Sequence, residues 1–225
     1  MLVMEVGNAA LASSEVTTWS CRMMPGKLAP VLVLAFAIDA TAADEPNKEG
    51  AVPPGYTMQR QGHADDFAFF EGAWTTVQHK LKARGVGSTE WEEFPAVLCN
   101  TLYLGRSATV DELWAPTQKR SGLTLRMFDP ATKQWSIYWA NGERGKLDPV
   151  PVVGGFDGAR GEFYNVDHDG ERPIKVRYIW IKVDADHARW EQAFSYDDAT
   201  WETNWTADFT RGDAVALCRN GQPKR

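Results

Sequence analysis

The four histidines are the first residues to examine for chemistry, because imidazole serves as a metal ligand and as a general acid or base. They are His63, His79, His168 and His187. Their spacing forms no His-x-His or His-Glu-x-x-His pattern, and no Cys–His spacing typical of zinc occurs. The chain also has no Gly-x-Ser-x-Gly and no phosphate-binding glycine loop. The sequence therefore predicts no metal and no cofactor, and it leans against an enzyme.

A second group of reactive residue types occupies alternating positions of predicted strands, with His79, Arg126 and Glu191 as its main members. If this polar face pointed inward, Glu191 or His79 would serve as a general base toward a small polar substrate. Burying several charges requires complete pairing, however, and mixed-sign pairs on a solvated face are the ordinary explanation. An enzyme that uses this cluster is therefore the alternative hypothesis.

Tryptophan is the most informative residue type, since nine of the ten tryptophans follow residue 62. The side chains predicted to line a cavity, with two neutral hydrogen-bonding points among them, are Trp139, Tyr178, Trp180, Gln192, Thr203 and Trp205. Pockets for small molecules are mostly apolar with a few placed polar groups. The favoured function is binding of a mainly apolar or aromatic ligand. If these side chains only fill a core, a ligand-free interaction module, forming a homodimer through exposed aromatics, is a third hypothesis.

Ten short segments rich in aromatic and β-branched residues must position these side chains. The predicted strands are Trp74–Leu81, Glu90–Cys99, Thr109–Trp114, Gly122–Phe128, Gln134–Ala140, Val152–Phe156, Gly161–Val166, Ile174–Val183, His187–Ser195 and Trp201–Thr210. Asp-Gly pairs at 157–158 and 169–170 are typical of tight hairpins. Residues 141–151 form the longest connection, which we expect at the rim. The pattern predicts an all-β fold, a single up-and-down antiparallel barrel of about ten strands.

Alternation along each strand predicts which side chains point into the barrel. In 122–128 the apolar residues Leu123, Leu125 and Met127 are predicted to point inward, which leaves Arg126 outside. In 201–210 the same rule places Thr203 and Trp205 inside. Which face of strands 122–128 and 187–195 points into the barrel distinguishes the ligand-binding hypothesis from the enzyme hypothesis.

Gly72-Ala73-Trp74 leads into the first predicted strand after the aromatic stretch "DFAFF", and Arg211 directly follows the last one. This combination resembles the entry of calycin barrels, a superfamily that includes lipocalins and fatty-acid-binding proteins. The resemblance implies that Trp74 fills the barrel base and that Arg211 packs across it as a structural pair. Such a cation–π contact is worth about 1 kcal/mol.

A closer resemblance covers nearly the whole barrel region. The segments "FFEGAW", "LTLRMFDPATKQWSIYWAN", "PVVGGFDGARGEF", "IKVRYIWIKV" and "ARWEQAFSYDDATWETNW" are similar, in this order, to a bacterial calycin-like family of unknown function. That resemblance implies the barrel but brings no reaction or cofactor. The chain departs from the family at "SYDDATW", where an Asp-x-Gly type turn is usual.

The N-terminal part resembles an export signal. Lys27 precedes an apolar run from Leu28 to Ile38, and Ala40-Thr41-Ala42 fits a signal-peptidase site. Eleven apolar residues are too few to span a bilayer, which takes roughly 20. We therefore expect a signal region over 1–42, translation starting at Met23 or Met24, a flexible leader over 43–62, and a barrel domain over 63–225. The mature chain is expected in the periplasm or outside the cell, without an integral membrane segment.

Cysteine placement and net charge add two further expectations. Cys99 and Cys218 both follow apolar residues, so they are either a disulfide formed in an oxidising compartment or two unrelated buried thiols. The formal net charge of −6 provides no basic surface, so nucleic acid is not expected as a partner.

Overall fold

A computed structural model describes residues 51–225. Its strands are β1 (Gly72–Leu81), β2 (Trp91–Tyr103), β3 (Ala108–Ala115), β4 (Arg120–Asp129), β5 (Gln134–Asn141), β6 (Lys146–Leu147), β7 (Val152–Asp157), β8 (Arg160–Asp169), β9 (Arg172–Lys182), β10 (His187–Ser195), β11 (Glu202–Gly212), β12 (Cys218–Arg219) and β13 (Gln222–Pro223). Short 3₁₀ turns lie at Ala68–Phe70 and Leu104–Arg106, and helix α1 spans Ala214–Leu217. The predicted signal region lies outside the described residues.

The ten long strands form a closed antiparallel barrel in which neighbours along the chain are neighbours in the sheet. Pairing of β1 with β11 and of β4 with β5 completes the ring, and β6 is a short addition beside β5. The predicted all-β up-and-down barrel is therefore confirmed. None of the helices in the described part of the chain is long and apolar enough to cross a membrane.

One end of the barrel is closed by a cluster that we call the aromatic floor. It consists of Phe67, Phe70, Trp74, Trp135, Phe163, Trp180 and Phe209. The 3₁₀ turn before β1 inserts Phe67 and Phe70 into this end, where Phe70 lies 4.9 Å from Trp180 and 5.1 Å from Trp74 between ring centroids. All these side chains are buried, so the aromatic run before Gly72 provides the base of the barrel.

The face of β4 that points into the barrel is not the one predicted from the sequence. Leu123 and Met127 are 39% and 44% exposed on the outer surface, whereas Arg126 is only 2% exposed and lies inside. In β10 the predicted inward residues, including Gln192, do face the interior. The prediction for β4 was wrong because alternation in the sequence only separates the two faces of a strand. Which face is buried depends here on a partner residue on another strand. That partner is the buried carboxylate of Asp111.

A β-bulge in β11 explains why the prediction that Thr203 points inward was wrong. Gln192 pairs with Trp205, but the next residue of β10 pairs with Thr203, so Asn204 is an extra residue in β11. Such a bulge changes which side chains point inward. Trp205 therefore lines the interior, as predicted, whereas Thr203 does not.

The part of the predicted leader that the structure describes lies against the outside of the barrel. Pro53 is fully buried, and the Trp201 indole donates a hydrogen bond to the Pro54 carbonyl (2.8 Å). Tyr56 packs edge-on against Tyr164 of β8 at 5.4 Å. Proline and tyrosine side chains of residues 51–62 thus bury apolar surface on the barrel wall.

Cys99 of β2 and Cys218 of β12 form a disulfide with their Cα atoms 6.1 Å apart. The 119-residue separation means that this bond ties the C-terminal segment to an early strand. The helix before Cys218 begins at Asp213, whose carboxylate accepts hydrogen bonds from the amides of Val215 and Ala216. Asp213 therefore caps α1, and the disulfide directly after α1 fastens the C-terminal segment to β2.

Removing this disulfide in a Cys99→Ala/Cys218→Ala variant is expected to lower the free energy of unfolding by about 2–5 kcal/mol, because the cross-link restricts the unfolded chain. Urea denaturation of both proteins measures the change. Dithiothreitol should destabilise the wild type but leave the variant unaffected. Equal stability of oxidised wild type and variant would contradict this expectation.

Candidate functional site

A cavity of about 630 Å³ lies inside the barrel between the aromatic floor and the open end. This volume falls within the roughly 300–1,000 Å³ typical of small-molecule pockets. Its apolar lining includes Leu98, Ile137, Val152, Val176 and Phe194, which come from five different strands. The interior is therefore wide enough above the floor to hold a small molecule.

A continuous row of aromatic rings runs along the side of the cavity formed by β9, β10 and β11 and crosses the interior to β5, and we call this row the aromatic wall. Its members in order are Trp139, Trp205, Trp190 and Tyr178. Neighbouring ring centroids lie 6.4, 5.7 and 5.0 Å apart, and each pair packs edge-to-face. The rings come from β5, β11, β10 and β9. Because neighbouring rings are nearly perpendicular, this row offers both ring faces and ring edges to a ligand.

Neutral polar side chains are set among these rings. The Trp205 indole donates to Gln78 Oε1 (2.8 Å), and Gln192 Nε2 donates to Asn204 Oδ1 (2.7 Å). Burial raises the pKa of Tyr178, and the negative charge of Asp148 adds to this effect. Its phenol therefore stays neutral and can donate a hydrogen bond. These groups suit orientation of a ligand better than chemical attack on it.

The inner end of the cavity contains a buried ion pair between Arg126 of β4 and Asp111 of β3. Arg126 Nη1 also donates to Thr109 Oγ1 (3.2 Å). The guanidinium lies 5.0 Å from the ring centroid of Phe67 and 5.2 Å from that of Trp180. Three kinds of contact thus compensate the buried charge: a carboxylate, a hydroxyl and aromatic faces.

The open end of the cavity carries charges of both signs. Arg84 pairs with Asp169 (2.8 Å), and Arg144 pairs with Asp148 (2.9 Å). Burial raises the pKa of Asp148, an effect that Arg144 opposes and Asp167 strengthens. Residues 148–150, in the connection predicted at the rim, line the cavity here. The mouth is polar, whereas the middle of the cavity is aromatic.

Five of the six predicted ligand-binding residues line one cavity. These are Trp139, Tyr178, Trp180, Gln192 and Trp205, and Thr203 is the exception. Trp180 lies at the floor, against Phe70 and Arg126, and the other four lie above it. The sequence therefore identified side chains that the fold brings together.

The hypothetical catalytic cluster of His79, Arg126 and Glu191 is not brought together. Arg126 is inside the barrel, whereas His79 lies on the outer surface 3.5 Å from Glu93, and Glu191 pairs there with Arg189 (2.8 Å). Gln78 and Lys80, the neighbours of His79 in β1, are the ones that face the cavity. The hypothesis fails because Arg126 is on the inward face of β4, whereas His79 and Glu191 are on the outward faces of β1 and β10.

Trp74 and Arg211 meet at the base of the barrel. The Arg211 guanidinium lies 4.2 Å from the Trp74 ring centroid and donates to the carbonyls of Phe69 (2.8 Å) and Glu71 (2.9 Å). The Trp74 indole donates to the Phe70 carbonyl (3.0 Å). Arg211 therefore holds the last strand to the 3₁₀ turn that inserts the floor residues.

Sequence reasoning missed several residues of the cavity, namely Gln78, Lys80, Asp111 and Thr124. Asp111 lies between Thr109 and Leu113 on one face of a short apolar strand, and this unusual placement of a carboxylate was the available signal. Within residues 51–225, no group of three or more His, Cys, Asp or Glu side chains is arranged to hold a metal ion.

Comparison with protein-family models gives no match for this chain, and neither does comparison with curated proteins. The architecture alone, a closed ten-stranded antiparallel barrel with a buried aromatic cluster, fits a calycin-like barrel.

Proposed function

We propose that this protein binds a small, mainly apolar or aromatic molecule inside its barrel. The observation that carries the proposal is the cavity of about 630 Å³ with its wall of Trp139, Trp205, Trp190 and Tyr178. Apolar surface supplies the binding energy, at roughly 25 cal/mol per Å² removed from water. Gln78, Gln192 and Tyr178 provide neutral hydrogen-bonding groups that fix the orientation of the ligand.

We also propose that the chain is a calycin-like protein that works in the periplasm or outside the cell. The Gly72-x-Trp74 entry, its contact with Arg211 and the up-and-down topology support the family. The disulfide between Cys99 and Cys218 supports the compartment, because such bonds persist mainly in oxidising environments. The signal-like segment before residue 43 agrees with this placement.

No geometric observation favours the enzyme hypothesis. His79, Arg126 and Glu191 lie on different sides of the barrel wall, so they cannot act on one substrate. The interaction-module hypothesis predicts instead that the cavity stays empty, and the same measurements decide between it and ligand binding.

A Trp139→Ala/Trp205→Ala variant is expected to bind the naphthyl probe N-phenyl-1-naphthylamine at least about tenfold more weakly than the wild type. The two indoles are adjacent members of the aromatic wall, and buried tryptophans usually dominate binding energy. Fluorescence titration of the probe measures both dissociation constants. Native mass spectrometry of protein purified from its own host should also show a retained small molecule that the variant lacks.

Trp91→Ala is the matched control, because Trp91 begins β2 at the same end of the barrel and is 41% exposed. It should bind the probe as the wild type does. A ligand-free mass together with no binding across a broad set of apolar probes would contradict the proposed function and favour the interaction module.

A further inference from the structure

Lys80 is a cation inside the cavity, near its open end. It follows Trp74, Thr76 and Gln78 on the inward face of β1, and its Nζ lies 4.5 Å from the ring centroid of Trp205. The side chain is half-buried. The ammonium therefore lies directly over a member of the aromatic wall.

The basic neighbours of Lys80 all have carboxylate partners. Arg84 pairs with Asp169 (2.8 Å), Arg120 with Glu143 (3.1 Å) and Arg144 with Asp148 (2.9 Å). Among residues 51–225, no carboxylate lies within 4 Å of the Lys80 ammonium, and no hydrogen bond engages it. Lys80 thus differs from Arg84, Arg120 and Arg144.

This arrangement leaves a positive charge that the protein does not neutralise. Burial lowers the pKa of Lys80, and Arg84 lowers it further, while Glu92 and Glu143 only partly oppose these effects. An unpaired, half-buried ammonium is unfavourable unless a counter-charge joins it. The inner ion pair cannot help, because Asp111 is already bound to Arg126.

Asp167 is on the far side of the mouth, where its carboxylate accepts a hydrogen bond from the His168 amide (2.8 Å) and has no cationic partner among residues 51–225. Asp167 belongs to β8, which is separated from β1 by three strands in one direction and five in the other. An anionic group near Lys80 therefore avoids the acidic side formed by Asp148 and Asp167. The Lys80 ammonium covers a face of the Trp205 indole, so an acid group that reaches it from the cavity places an attached ring beside Trp205, near Trp139 and Trp190.

We propose that the ligand is an aromatic or apolar anion, a carboxylate, sulfonate or phosphate ester, whose acid group pairs with Lys80 while its ring system lies on the aromatic wall. This inference rests on the proposed function and names the class of molecule that the cavity accepts. Charge-assisted hydrogen bonds are among the stronger polar contacts, so the pair contributes both affinity and orientation.

Two probes with one ring system separate this inference from the proposed function. The sulfonate 8-anilinonaphthalene-1-sulfonate carries a permanent negative charge, whereas N-phenyl-1-naphthylamine lacks it. Both are titrated by fluorescence into the full chain and into Lys80→Met, Lys80→Arg and Lys82→Met variants. Lys82 is the matched control, because it lies just after β1 and pairs outside the cavity with Glu90 (3.5 Å).

Lys80→Met is expected to weaken binding of the sulfonate by about tenfold or more, the usual loss for a hydrogen bond to a charged group. The uncharged amine should change by less than about twofold. Lys80→Arg keeps the charge and should retain most of the sulfonate affinity, which also guards against a misfolded Lys80→Met protein. Lys82→Met should leave both probes unaffected.

Equal weakening of both probes by Lys80→Met, or no weakening of either, would overturn the inference while leaving the cavity as a binding site. If neither probe binds the wild type, both the inference and the proposed function fall. Sulfonate binding that depends on Lys80 without detectable amine binding would support the inference, since the acid group would then be indispensable.

Discussion

Replacing Asp111 by alanine is expected to lower the free energy of unfolding by about 3–5 kcal/mol, because Arg126 would remain buried without its carboxylate. Arg126 is only 2% exposed and lies against the rings of Phe67, Phe70 and Trp180 at the inner end of the cavity. For a domain of this size the loss corresponds to a fall in Tm of about 10 °C. Chemical denaturation and calorimetry of the variant measure both quantities.

Two controls separate the lost pairing from other effects. An Asp111→Leu/Arg126→Met variant removes both charges and should recover most of the stability, because a buried ion pair can be replaced by apolar side chains at little cost. Asp208→Ala breaks an exposed pair with Arg189 (2.7 Å) and should cost less than about 1 kcal/mol. If Asp111→Ala were as mild as Asp208→Ala, the ion pair would not stabilise the barrel.

Trp74→Ala is expected to lower the free energy of unfolding by a similar amount, about 3–5 kcal/mol, since it removes a fully buried indole from the floor. The neighbouring rings of Phe70 and Phe209 lose contacts, and Arg211 loses the ring on which it lies. The hydrogen bond from the indole to the Phe70 carbonyl disappears as well. Urea denaturation, monitored by far-UV circular dichroism, measures the change.

Trp91→Ala again serves as the comparison, because the same chemical change at a partly exposed site should cost less than about 1 kcal/mol. If the two variants were equally stable, the aromatic floor would not depend on Trp74. That outcome would also remove the structural reason for pairing Trp74 with Arg211.

The strands of this barrel could be predicted because their signals are local. Alternation and turn residues gave all ten long strands, and the bounds of β10 (His187–Ser195) agree with the prediction. Inward side chains were also predicted for β5, β9 and β10, since there the apolar face is the buried face. The local sequence pattern was sufficient to predict the inward side chains of strands whose buried residues are also the hydrophobic ones.

The inward-pointing face of β4 could not be predicted, because it depends on a contact between strands. Arg126 is stable inside only through Asp111, Thr109 and the rings of the floor, and none of these contacts appears in the alternation of β4 itself. Because Arg126 points inward, Leu123 and Met127 on the other face of β4 point outward. Thr203 was misplaced for a different reason, a single extra residue that leaves no mark in the composition of β11.

The candidate site was predicted in its aromatic part and missed in its charged part. Trp139 and Trp205 follow from the inward parity of tryptophan, whereas Lys80 belongs to a strand whose polar residues look equally suited to solvent. Lys80 stands out as an unpaired cation only because the neighbouring arginines pair with Asp169, Glu143 and Asp148. These pairs are visible only in the folded chain.

The closed ring has a consequence for how copies of this chain can meet. Each of the ten long strands pairs with a neighbour on both sides, so no whole strand is left at an edge of the sheet. In the described part of the chain, unpaired edges remain only over parts of strands, such as residues 91–96 of β2 on the side of β3 and residues 165–169 of β8 on the side of β7. An extended peptide or a second copy that joins the sheet by β-augmentation must therefore use such a short stretch or break existing pairs. The outer surface also offers side chains for association, since Leu123, Met127 and Tyr103 are exposed there.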